Sequence, residues 1–109
     1  MKGDVYTFGE IIKSKRLKIG LLQSDVAERL GIDAPLLSKI EKGLRQLKRE
    51  QITTIANILK IDEDELLTRW LADQIYDVIK DEEFALEAIR VTGEKILYKC
   101  NAKTKYHHG

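Results

Sequence analysis

At 109 residues, 43% of them hydrophobic, the chain is long enough for one core and too apolar for a disordered tail. One proline, few glycines, 6% aromatics and abundant Leu, Ile, Glu, Lys and Ala point to an all-α fold. The net charge of +1 hides a segregation: residues 1–60 carry twelve Lys/Arg against seven Asp/Glu, and residues 61–109 carry seven against eleven, so a basic front half suits a polyanion.

Thr7 and Glu10 have the spacing of a capping box, and Phe8, Ile11 and Ile12 follow at helical spacing, which predicts a first helix that stops at Gly20. A short second helix spans residues 23–30, with Val26, Ala27 and Leu30 on one face and Gly31 just past its end. Asp33 caps a third that starts near Ala34 or Pro35, where a missing amide is tolerated, and that ends at Gly43 with Leu37 and Ile40 inward. A fourth, from about Arg49 to Lys60, turns Ile52, Ile55, Ala56 and Leu59 inward. Asp62-Glu63-Asp64-Glu65 reads as a second capping box, and its charges suit the positive end of a fifth helix reaching about Lys80. Asp81-Glu82-Glu83 is expected to cap a sixth carrying Phe84, Ala88, Ile89 and Val91, and the polar stretch from about Lys99 has no clear period.

Two short helices around a glycine turn occur in many bundles, so residue identities carry the specific signal. Lys13-Ser14-Lys15-Arg16, Gly20-Leu21-Leu22-Gln23, Val26-Ala27-Glu28-Arg29-Leu30-Gly31-Ile32 and Leu37-Ser38-Lys39-Ile40-Glu41-Lys42-Gly43, with Ala56 and Leu59 beyond, form a gapless series. From about residue 12 to 62 that series resembles the Cro/cI-like (XRE-type) helix-turn-helix family. The resemblance implies a phage-repressor-like five-helix DNA-binding domain at 6–68, to which this chain adds a helical extension at 69–98 and a flexible tail at 99–109.

The same resemblance implies that the helix starting near Asp33 lies in the major groove of double-stranded DNA. Asp33, Ala34, Pro35, Leu36, Ser38 and Lys39 are then the base-reading candidates. Lys39 is suited to guanine O6 and N7, and apolar groups to thymine methyls. Gln23 matches the family's phosphate-clamping glutamine, and Lys42, Arg45, Lys48 and Arg49 crowd the loop where backbone phosphates are expected. Arg16 and Glu41 match a structural ion pair between the first and third helices. The chain departs from the family at Leu22, where a Ser or Thr cap is usual and Ser24 is the possible substitute, and at the apolar Ala34, Pro35 and Leu36, which are poor in donors. Leu44 and Leu47 also stand where polar residues or proline are usual, a place for the rear helices to cover.

The stripe of Trp70, Leu71, Ile75, Val78 and Ile79, continued by Phe84, Ile89 and Ile96, either docks on the chain's own helices or forms a dimer surface. Dimerisation is the expected use, because a two-fold dimer doubles a thin contact set. Metal and catalytic readings find no support. His107 and His108 lack spaced partners, Cys100 lacks a nearby His, and the acidic run at 62–65 lacks a calcium loop's glycine. Neither an enzyme nor a cofactor is expected. No apolar run approaches the roughly 18 residues of a membrane span. Met1-Lys2-Gly3-Asp4 does not open a signal peptide, and the lone Cys100 cannot make an intrachain disulfide, which suits the cytoplasm. The expectation is a homodimeric, sequence-specific transcriptional regulator of the repressor or restriction-modification controller type. The alternative is an antitoxin or interaction module that meets a toxin or co-regulator and binds DNA weakly or not at all.

Overall fold

Six α-helices follow one another among the described residues: α1 Phe8–Ile19, α2 Gln23–Leu30, α3 Ala34–Glu41, α4 Ile52–Leu59, α5 Glu63–Ile79 and α6 Ala85–His107. The computed structural model describes residues 6–107, and side chains as far as residue 102. The signal-peptide reading of Met1 to Asp4 and the reading of the His107 and His108 side chains lie outside them. The fold is all-α, in two compact units, Met1–Ile75 and Tyr76–Gly109. No described helix is long and apolar enough to cross a membrane.

Local chemistry sets the helix ends. Thr7 Oγ1 accepts from the Glu10 amide at 3.2 Å while Glu10 Oε1 accepts from the Thr7 amide at 3.0 Å, the reciprocal box predicted for α1. A further acceptor comes from far along the chain: Asp73 Oδ2, on α5, takes the Phe8 amide at 3.1 Å. Leu22 has no side chain to cap α2, and Ser24 does not replace it. Instead, the Asp25 carboxylate reaches back to the Leu22 amide at 3.0 Å, leaving one half of a box. Gly31, at φ 74°, adopts the left-handed conformation that closes α2, and Ile32 N–H returns to Ala27 O at 3.0 Å.

Two expected helix starts are shifted. Residues 49–51 form a 3-10 turn before α4 proper, tightened by Gln51 Oε1 accepting from the Lys48 amide at 2.8 Å. No side chain of Asp81-Glu82-Glu83 caps α6, because the helix begins at Ala85 and the cap position falls on Phe84; backbone bonds such as Ala85 N–H to Glu82 O close that link. Residues 99–107 continue α6.

The core draws on five helices and one loop residue. Phe8 and Ile12, Val26, Ala27 and Leu30, Leu37 and Ile40, Leu47, then Ile52, Ile55, Ala56, Leu59 and Leu66 are all buried. Each large member stabilises the fold by roughly 1.5–3 kcal/mol through burial. Leu47 stands in the loop after α3 and is buried with it, its carbonyl accepting the Trp70 indole N–H at 2.8 Å. Leu44, three residues earlier, is exposed. Among the described residues none beyond Leu66 is buried.

Candidate nucleic-acid interface

The orientation of α3 follows from its sequence. Leu37, Ile40 and Glu41 are its buried residues, and at 3.6 residues per turn Pro35, Lys39 and Lys42 fall on the opposite side. Those three are exposed, whereas Leu36 and Ser38, on the flanks, and Ala34 are half-buried. The helix therefore offers solvent a proline ring at its start and two cations further along. Asp33 is partly committed, since its Oδ1 accepts from the Leu36 amide at 2.9 Å and fixes the first turn.

A buried charge network holds this helix against α1. Arg16 Nε lies 2.7 Å from Glu41 Oε2 and Nη2 lies 3.1 Å from Oε1, a bidentate pair in which both residues are under a tenth exposed. Arg16 Nη1 also donates to Leu21 O at 2.9 Å, at the entry to α2. Glu41 Oε1 accepts a second bond from Gln23 Nε2 at 2.9 Å. One carboxylate thus ties the start of α2 and the end of α3 to α1. Gln23 keeps its Oε1 and its second amide hydrogen for another partner.

Close backbone approach reinforces the network. A Cβ placed on Gly9 stands 2.5 Å from the carbonyl oxygens of both Ile40 and Glu41, so only glycine admits the end of α3 this near to α1. Sequence reasoning passed over Gly9, although an isolated glycine in a helical pattern is a signal of close packing. It also passed over Asp73 at the start of α1, and no local pattern joins residues so far apart.

The cations around α3 form no ion pair among the described residues. Lys39, Lys42, Arg45, Lys48 and Arg49 are all exposed, and among the described residues none of the five takes part in an ion pair, whereas Arg16 is paired with Glu41, Lys80 with Asp77 and Arg90 with Glu87 and Glu94. Lys42, Arg45, Lys48 and Arg49 sit at the end of α3 and in the loop and turn that follow, where no described carboxylate forms an ion pair with them. The apolar stripe of the rear helices is placed differently. Trp70 is half-buried, packed on the first unit's core and anchored to Leu47 O, and Ile79 is half-buried. Leu71, Ile75, Val78, Phe84 and Ile89 are exposed, as are Leu86, Ile96 and Leu97.

A helix-turn-helix family model matches residues 12–66. The chain is 29% identical over 108 residues to the cryptic phage CTXphi transcriptional repressor RstR of Vibrio cholerae, a match covering 92% of this chain and 96% of that protein. It is 33% identical over 61 residues to the uncharacterized HTH-type transcriptional regulators MT0491 and Rv0474 of Mycobacterium tuberculosis, covering 56% of this chain and 44% of theirs. Among solved structures, the restriction-modification controller protein C.AhdI from Aeromonas hydrophila is similar at 30% identity and a TM-score of 0.49, over 54% of this chain and 86% of that one.

Proposed function

The chain belongs to the XRE-type helix-turn-helix family and is a DNA-binding transcriptional regulator, and we propose that it acts as a homodimeric repressor whose α3 enters the operator's major groove. The observation that carries this reading is the group of exposed cations along and after α3, in no ion pair among the described residues, next to an α3 fixed by a buried ion pair. Such a surface attracts a polyanion without first breaking internal salt bridges, and its rigid helix needs no reorganisation to dock.

In this arrangement the work divides by position. Lys42, Arg45, Lys48 and Arg49 and the second amide hydrogen of Gln23 take phosphates, which set register without reading sequence. Pro35, Leu36, Ser38 and Lys39, with Ala34 behind them and the second carboxylate oxygen of Asp33 beside them, meet base edges. The exposed Leu71, Ile75, Val78, Phe84 and Ile89 pair two protomers, so that two α3 helices address half-sites about 34 Å apart. Repression is favoured over other regulatory roles by the near full-length similarity to a phage repressor, which extends across the rear helices. The protein acts in the cytoplasm, where a regulator meets its operator.

Selection from random duplexes, followed by binding at several salt concentrations, tests the reading. It predicts an enriched pseudo-palindrome and a linear fall of log affinity with log salt. Negligible duplex affinity at low salt would refute it. Light scattering on the full chain tests the dimer separately, since a monomer mass at micromolar concentration removes the proposed pairing surface.

A further inference from the structure

The first turn of α3 presents carbon rather than hydrogen-bonding groups. Pro35 has no amide hydrogen, the Leu36 amide is taken by Asp33 Oδ1 at 2.9 Å, and the one exposed side chain in the first turn itself is the Pro35 ring, next to the exposed Asp33 cap. Leu36 and Ala34, half-buried beside it, add only C–H surface. The polar groups of the helix, Ser38 and Lys39, stand about one turn further on.

The major groove offers one apolar group of its own, the C5 methyl of thymine, and 5-methylcytosine carries the same methyl at the same place. The two bases differ in the exocyclic group next to that methyl, an acceptor on one and a donor on the other. A proline ring has nothing with which to distinguish them. We propose that Pro35 reads a pyrimidine C5 methyl, so that the operator half-site prefers a thymine there and accepts 5-methylcytosine in its place. This rests on the DNA-reading role of α3 proposed above. Binding at such a site responds to cytosine methylation, whereas a helix that reads thymine through its O4 is indifferent to it.

The test uses the full chain and the duplex enriched from a random pool. Each thymine of the half-site is replaced in turn by deoxyuridine, and the critical T·A pair by C·G with either deoxycytidine or 5-methyldeoxycytidine. At one thymine per half-site, deoxyuridine weakens binding about fourfold, the value of burying one methyl group. The 5-methyldeoxycytidine duplex binds about fourfold tighter than the deoxycytidine duplex, since those two differ only in the methyl. Pro35→Ala, which keeps a good helix former in the first turn, loses sensitivity to deoxyuridine at that position and keeps its salt dependence. Equal affinity of wild type for thymine and deoxyuridine at every position, or undiminished sensitivity in Pro35→Ala, overturns the proposal while specific binding still stands. If no duplex is enriched or bound at low salt, the DNA-reading role falls and this inference falls with it.

Discussion

The two ends of this chain leave opposite things unfinished. In the first unit the apolar side chains of five helices close into a core, and the cations around α3 stand without carboxylate partners. Beyond Ile75, Lys80 and Arg90 are paired with acids one turn away, while Val78, Phe84, Leu86, Ile89, Ile96 and Leu97 stay exposed. The front region has cations in no ion pair among the described residues, and the rear region has apolar side chains without cover. Surface charge and surface hydrophobicity are therefore separate signals, and a net charge near zero reports neither.

The comparison breaks most readily at Glu41. Glu41→Ala strands the buried Arg16 and is expected to destabilise the first unit by about 3–5 kcal/mol in denaturant melts, whereas the double change Arg16→Met with Glu41→Leu costs much less. A result near zero for the single change contradicts a desolvated pair. Next comes a matched pair of leucine truncations. Leu66→Ala in the closed core is expected to cost about 2–5 kcal/mol and Leu86→Ala on exposed α6 no more than about 0.5 kcal/mol. Similar losses at both positions show that the rear region is packed in solution.

Gly9→Ala probes the approach of α1 to α3. Its Cβ must displace backbone rather than a flexible side chain, so a loss of about 1–3 kcal/mol is expected, together with weaker duplex binding through a shifted α3. The smallest effects separate the two charge patterns. Arg45→Ala is expected to weaken binding to all duplexes alike and to reduce the salt slope by about one, and Lys80→Ala to leave both unchanged. A flattened slope from Lys80→Ala removes the distinction between the regions.

Much of the fold was legible along the chain because its causes are local. Thr7 with Glu10, Gly31 after Leu30 and the apolar period of α4 each act within a few residues, so order in the sequence is order in space. The same holds for the position of α3 after the glycine turn and for the motif that signals its family. Local reading failed where one local cause replaced another: α2 starts at Gln23 rather than later with Ser24 as its cap, with the Asp25 carboxylate on the Leu22 amide, and α6 begins beyond its expected acidic cap. What tertiary structure alone decided are joins between distant residues. Gly9 meets the carbonyls that end α3, Asp73 holds the first amide of α1, and Trp70 leaves the rear stripe to bond Leu47 O. Gln23 likewise gives one amide hydrogen to Glu41 and keeps the other, which no spacing along the chain foretells. Composition and period determined which surfaces would be basic or apolar. Whether a given charge or ring is already satisfied depends on what folding brings within about 3 Å, and only the packed chain settles that.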